Sequence, residues 1–195
     1  MAKLAGSSRE GTAVEKKKEF QPAGLGRRFA AYLVDWYLGA LATALPVSVV
    51  SMKLFGTVQN QNLLTFYPPY GLIAGALGLF AAVIYYVAVP VLLWPGQTPG
   101  KRLLKIQIVD QDGGDAGTGQ LILRQLVGMI ILEGSLVSAS TIWHQMFTIA
   151  TGINVVNVLM YAGMAVSLVS VVLVLAGRHR AIHDRIGGTA VASCK

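Results

Sequence analysis

The sequence predicts an all-α membrane protein with four transmembrane helices, and its composition gives the first reason. Of 195 residues, 54% are hydrophobic and only 13% are charged, whereas a soluble domain has a charged fraction of about 25%. Four apolar runs are near the ~20 residues that a helix needs to cross a bilayer. These runs are residues 29–50, 71–94, 126–143 and 155–176.

The distribution of basic residues predicts the orientation of these helices. Of the 16 Lys and Arg residues, only Lys53 lies between the first and second runs, and none lies between the third and fourth. Because basic residues stay on the cytoplasmic side, both termini and the segment between the second and third runs are expected in the cytoplasm. Topology also accounts for the net charge of +7. No aromatic residues interleave with the basic ones, so no nucleic-acid partner is predicted.

The residues outside the apolar runs divide into a tail and short polar segments. Residues 1–20 mix Gly, Ser, Lys and Glu without periodicity, which predicts a disordered basic tail. Residues 21–195 are then one four-helix transmembrane domain. Between the second and third helices, residues 105–108 alternate polar and apolar side chains, as a half-buried strand does. This predicts a short interfacial or β-like segment, and residues 189–192 are a second candidate strand.

An acidic residue, Asp35, lies well inside the first apolar run. A carboxylate there costs ~3 kcal/mol on insertion scales, so it requires a partner and is expected to face the protein interior. Arg28 is seven residues earlier and shares the same helix face, with Tyr32 between them. Arg28 is therefore expected to tune Asp35. Two interpretations stay open: the pair fixes helix packing, or it handles ions or protons.

A second acidic residue, Glu133, lies near the middle of the third run. A serine-rich face could hold it as a protonated hydrogen-bond donor between helices, and the alternative is again a role in ion or proton handling. Arg124 lies at the inner end of this run. The helix could begin as early as Leu121 if Arg124 snorkels to the interface.

The only acid after the fourth run, Asp184, is followed by Arg185. The segment 96–102 brings Lys101 and Arg102 to the same side of the membrane. We therefore predict that this segment lies close to the one around Asp184, and that Asp184 pairs with a nearby arginine.

The sequence contains no motif for a cofactor, a metal or an enzyme. His179 and His183 are four residues apart, but no third ligand has a fitting spacing. They are therefore interpreted as interfacial histidines. No nucleophile–base set, zinc motif or phosphate loop is present, so no enzymatic activity is predicted.

Three motifs occur in an order that resembles the RDD family of small bacterial membrane proteins, named for one arginine and two aspartates. They are RRFAAYLVD at 27–35, GQTPGKRLL at 96–104 and HDRIGGT at 183–189. On this resemblance Arg28 is the family arginine, with Arg27 as the neighbouring alternative. Asp35 is the first aspartate and Asp184 the second.

The resemblance implies a multi-pass protein of the bacterial inner membrane. Some members of the family are described as sodium (lithium, potassium)/proton antiporters, and others accompany unrelated membrane systems. The first hypothesis is therefore an antiporter for monovalent cations and protons that uses Asp35 and Glu133. Four helices make a slender pathway, so a homo-oligomer is expected. The rival hypothesis is a membrane scaffold or accessory subunit that binds a protein partner and transports nothing.

Overall fold

The structure, a computed structural model, describes residues 21–134, 137–178 and 180–194. The predicted tail at residues 1–20 and His179 lie outside the described residues. Within them the chain is mostly helical, as predicted.

Three helices are long and apolar enough to cross a membrane. The first is α1 (Leu25–Phe55). The second is α2 (Tyr70–Val83), which continues as a π-helix over Ile84–Leu93. Pro90 lies in this wider segment, where its missing N–H leaves the regular ladder incomplete. The third of these long helices is α6 (Val156–Leu173), which continues as a π-helix over Val174–Arg178.

The third apolar run is divided into two helices. α4 (Thr118–Ile122) continues as a π-helix over Leu123–Leu132, and the chain becomes helical again only at α5 (Ser138–Thr151). The prediction of one continuous helix over residues 126–143 is therefore wrong, and the count of four spans stays a prediction.

Contacts across this interruption explain it. The Ser140 hydroxyl and the Trp143 indole N–H both donate to the carbonyl of Ile130. Gly134 lies against Ser140 so closely that a Cβ at this position would be 1.8 Å from the Ser140 Oγ. A residue without a side chain is thus required where the chain turns between the two helices.

Two short strands form an antiparallel sheet at one end of the helices. β1 (Ile106–Asp110) pairs with β2 (Thr189–Ser193), so that Val191 lies opposite Ile108. Both predicted strands are confirmed. The backbone N–H of Ala23 donates to the carbonyl of Val191 at 2.9 Å, on the free side of β2. The start of the described chain, its central segment and its end therefore meet in one place.

The two first helices pack tightly, and α6 does not. The buried residues of α1 recur every fourth position: Ala31, Asp35, Gly39, Thr43, Val47 and Ser51. A Cβ at Gly39 would lie 1.9 Å from the hydroxyl of Tyr86 on the second helix, so small residues allow this close approach. Only 6% of the apolar window of α6 is buried, against 22% for each of the other two long helices. α6 is therefore the least buried of the three long helices.

The segment between β2 and the last long helix contains α7 (Ile182–Ile186), and the segment before β1 contains α3 (Pro99–Leu103). Both are short helices beside the sheet. They carry the motif residues that the sequence singled out.

Candidate functional site

The carboxylate of Asp35 holds the turn that begins α3. The backbone N–H of Gly100 donates to its Oδ1 at 2.8 Å, and the Thr98 hydroxyl donates to its Oδ2. Lys101 Nζ is 3.4 Å from the same Oδ2. A Cβ at Gly100 would lie 2.4 Å from the carbonyl oxygen of Ala31, so glycine is needed at this contact. The carboxylate thereby fastens the 96–102 segment to α1.

Two tyrosines of the second helix complete the surroundings of Asp35. The Tyr85 hydroxyl donates to Oδ1 at 3.0 Å, and the Tyr86 hydroxyl donates to the backbone carbonyl of Asp35 at 3.0 Å. Asp35 is only 1% exposed. The prediction that it faces the protein interior is confirmed.

Arg28, expected to tune Asp35 from the same face of α1, does not form its ion pair there; Asp35 pairs with Lys101. Seven residues of helix rise by about 10 Å, so sharing a face does not bring the two side chains into contact. Arg28 instead reaches Asp184, with Nη2 2.7 Å from Oδ2.

Asp184 lies between two arginines. Arg124 donates from Nη2 at 2.6 Å and from Nε at 3.0 Å to Oδ1, opposite the contact from Arg28. The N–H of Ala181 also donates to Oδ2 at 3.0 Å. Burial alone would raise the pKa of Asp184, but the charges of Arg124 and Arg28 outweigh it and hold this pKa well below its usual range. The predicted pairing of Asp184 with an arginine is confirmed.

The charged cluster consists of Arg28, Asp35, Lys101, Arg124, Glu133 and Asp184. Arg124 is 2% exposed, and its guanidinium is held by Asp184. The other arginines named from the sequence lie outside it. Arg102 stacks over the ring of Trp94 at 4.4 Å. Arg185 and Arg27 are exposed.

Glu133 lies where the third run is interrupted and pairs with a histidine that the sequence did not assign to the site. Its Oε2 is 2.7 Å from His183 Nδ1, and its Oε1 accepts from the N–H of His183 at 2.6 Å. The Ser170 hydroxyl donates to Oε1 at 3.0 Å, so the carboxylate accepts from a serine of α6 and does not act as the expected protonated donor. His183 Nε2 is 3.6 Å from Asp184 Oδ1, so the imidazole lies between two carboxylates.

The close approach of His183 depends on a glycine in the helix it contacts. A Cβ at Gly128 would lie 2.6 Å from the Cβ of His183. One feature of the sequence could have pointed to His183 as a site residue: it immediately precedes Asp184 within the third motif.

These groups surround one open cavity of about 590 Å³. Its polar lining consists of Arg28, Tyr32, Asp35, Lys101, Arg124, Glu133, Ser167, Ser170 and His183. The remaining lining is apolar and includes Phe29 of α1 and Val171 of α6. Side chains from four distant stretches of sequence therefore share one space.

The charges of the cluster balance. Burial lowers the pKa of Lys101, but the adjacent carboxylate of Asp35 acts in the opposite direction and 12% of the lysine side chain remains exposed, so we count it as charged. The three cations are Arg28, Lys101 and Arg124, and the three anions are Asp35, Glu133 and Asp184. With a neutral imidazole at His183 these six charges sum to zero. Protonation of His183 adds one positive charge.

The family comparison agrees with the motifs. The family model described as the RDD family matches residues 22–188. Neither a curated protein nor a solved structure matches the chain. The family match covers α1 through α7 and includes every charged residue of the cluster. The chain belongs to the RDD family of membrane proteins.

Proposed function

We propose that the chain exchanges monovalent cations for protons across the membrane, and that Glu133 and His183 form the exchange site. The observation that carries this proposal is the 2.7 Å contact between Glu133 Oε2 and His183 Nδ1 on the wall of the cavity. Histidine changes its charge between about pH 5 and 8, which a proton-coupled reaction requires of its proton carrier. When His183 is protonated, its imidazolium forms an ion pair with the carboxylate of Glu133 and balances its charge. When His183 is neutral, the charge of Glu133 is available to Na⁺, Li⁺ or K⁺.

The balance of charge supports competition between proton and cation. The six fixed charges cancel, so either a proton on His183 or one bound monovalent cation brings the cluster to a charge of +1. Both together would give +2 in an environment of low dielectric, where like charges repel strongly. Release of the proton is thereby linked to binding of the cation.

The interruption of the third run supplies oxygen atoms next to Glu133. The Ser167 hydroxyl donates to the backbone carbonyl of Glu133 at 2.5 Å, and the Ser170 hydroxyl contacts the carboxylate. Non-helical backbone at membrane depth is tolerated where it is buried or lines a cavity. In transporters, such unwound segments coordinate alkali ions with backbone carbonyls.

Asp35, the other candidate from the sequence, has a different role in this proposal. Its carboxylate is already occupied by a lysine, a backbone N–H, a threonine and a tyrosine. It therefore acts as a positioning residue that fixes α3 and Lys101 beside the cavity. Exchange depends on it only through the fold.

We also infer four crossings of the bacterial inner membrane. β1 and β2 lie in one sheet, so an even number of crossings separates them. α6 supplies one crossing, and the interrupted pair of α4 and α5 supplies the other. The excess of basic residues on the sheet side assigns that side to the cytoplasm.

A liposome assay tests the exchange. Purified chain is reconstituted with a pH-sensitive dye inside the vesicles, and Na⁺, Li⁺ or K⁺ is added outside. We expect cation-dependent alkalinisation of the lumen if protons leave as cations enter, and its loss in Glu133→Gln. Asp112→Asn removes an exposed acid outside the cavity and is the matched control. An active Glu133→Gln variant would contradict the assignment.

The same preparation tests the rival function. A membrane scaffold would co-purify with a stoichiometric protein partner and show no exchange for any of the three cations. The mass of the purified particle measures whether the chain is a homo-oligomer.

A further inference from the structure

We propose that the mouth of the cavity binds one anionic phospholipid from the leaflet on the sheet side. Its acyl chains would lie between α1 and α6, and its phosphate would lie near Arg27. The lipid would close the cavity toward the bilayer. This binding site is separate from the exchange chemistry proposed for Glu133 and His183.

The walls of the mouth are apolar and exposed. Phe29 of α1 is 63% exposed, and Val171 and Leu175 on the opposite wall are 54% and 66% exposed. All three line the cavity. Side chains that line a cavity and are also exposed mark its opening. In a chain that spans a membrane, this opening faces hydrocarbon.

The two helices on either side of the mouth do not close against each other. α1 packs mainly against α2, α3 and α5, whereas α6 packs mainly against α5 and α7. The cavity of about 590 Å³ lies in the size range of sites for small organic ligands. At the mouth, between Phe29, Val171 and Leu175, water is a poor occupant, since ordered water needs two to four polar partners. A lipid tail needs none.

The charge at the rim favours an anionic headgroup. Arg27 is exposed and lies between Gly26 and Arg28, which both line the cavity. The six charges of the cluster, five of which line the cavity, cancel, and Arg27 has no acidic partner among the residues that the structure describes. Basic side chains at a membrane surface attract anionic lipids. A phosphate beside Arg27 would therefore neutralise the charge left over at the rim.

Native mass spectrometry of the full chain tests this proposal. The protein, purified in detergent, is exposed to equal amounts of phosphatidylglycerol and phosphatidylcholine. We expect one retained phosphatidylglycerol per chain, preferred roughly fivefold over phosphatidylcholine. Arg27→Gln should remove the preference. Lys53→Gln, at the opposite end of α1, should keep it.

A pair of adjacent residues gives a control for the acyl-chain groove. Val171 lines the cavity, whereas Val172 is equally exposed, at 55%, and does not. Val171→Trp should fill the mouth and lower lipid retention at least severalfold, while Val172→Trp should retain it. Equal retention in the two variants would overturn the proposal, as would the absence of any preference for phosphatidylglycerol.

Two further outcomes identify other occupants. Glycerophosphoglycerol has the headgroup without acyl chains and should not displace the lipid. Displacement by it would indicate a phosphate site without a groove and would overturn the proposal. A dimer that Val171→Trp dissociates would assign the mouth to a second copy of the chain and would also overturn it.

Discussion

Three carboxylates belong to the charged cluster, and two of them, Asp35 and Glu133, line the cavity. Asp35 and Asp184 are sealed from solvent, whereas Glu133 is not. Asp35 and Asp184 have side chains that are 1% and 0% exposed, and each contacts a lysine or arginine. The side chain of Glu133 is 10% exposed, and its partner His183 is 21% exposed. Asp184 pairs with two arginines, which keep their charge, and Asp35 pairs with Lys101 and three further hydrogen-bond donors. Glu133 pairs with an imidazole, which can hold or release a proton.

The difference shows that an acid in an apolar run is not assigned by its position alone. Asp35 and Glu133 raised the same two interpretations in the sequence, since each interrupts a hydrophobic segment. The identity of the partner separates them. Asp184 is 3.6 Å from the same imidazole but is held by Arg28 and Arg124, and Asp35 is held by Lys101 and fixed donors, so both stabilise packing. Glu133 has its ion-pair contact with the imidazole itself.

The largest effect on stability is expected for Asp184→Asn. This variant leaves Arg124 and Arg28 without their anion, and a buried ion pair broken on one side costs about 3–5 kcal/mol. Thermal unfolding in detergent measures the loss, with Asp112→Asn as an exposed control. Removing Arg124 as well, in Arg124→Met with Asp184→Leu, should recover much of the stability. An unchanged melting temperature for Asp184→Asn would show that the cluster does not hold the fold.

The same carboxylate predicts how stability depends on acid. Its pKa is lower in the folded chain than in the unfolded one, where an aspartate has a pKa of about 3.9. The unfolded state therefore takes up protons first as the pH falls. The stabilisation from Asp184 is fully present above about pH 4 and is lost as the pH falls below that value. In Asp184→Asn the free energy of unfolding should depend less on pH below about pH 4. The same dependence in the variant and the unaltered chain would contradict the prediction.

A smaller loss is expected for Asp35→Asn. The amide keeps the shape and can still accept from the N–H of Gly100, but it loses its charge beside Lys101. Loss of a charge-assisted hydrogen bond costs about 2 kcal/mol. Because Asp35 acts by positioning α3, the molecules that remain folded should keep a measurable exchange rate. Normal stability with complete loss of exchange would instead make Asp35 part of the ion pathway.

The sequence predicted the features that depend on local pattern. The apolar helices, the two strands and the burial of Asp35 each follow from hydropathy, alternation or the cost of a charge in lipid. The family motifs were also visible, because their order along the chain is characteristic. These features need no knowledge of which distant residues meet.

The contacts between distant segments could not be predicted in the same way. Arg28 was matched to Asp35 because both lie on one face of α1, yet its partner is 156 residues away. The interruption after Leu132 depends on Ser140 and Trp143 reaching back to the Ile130 carbonyl. The pairing of Glu133 with His183 likewise depends on how α7 docks, and no spacing in the sequence encodes that.

The smallest effect on stability and the greatest effect on exchange are expected together in Glu133→Gln. Glutamine can still accept hydrogen bonds from Ser170 and from the N–H of His183, so its loss of stability should stay near 1 kcal/mol. It cannot carry the negative charge that a cation or a protonated imidazole needs. His183→Gln retains a polar side chain but removes the proposed proton carrier, and it should abolish the coupling of cation movement to proton movement. Asp112→Asn, which removes an exposed acid outside the cavity, is the control. If exchange in Glu133→Gln keeps the rate and pH profile of the unaltered chain, the distinction between Glu133 and the two sealed aspartates has no functional meaning.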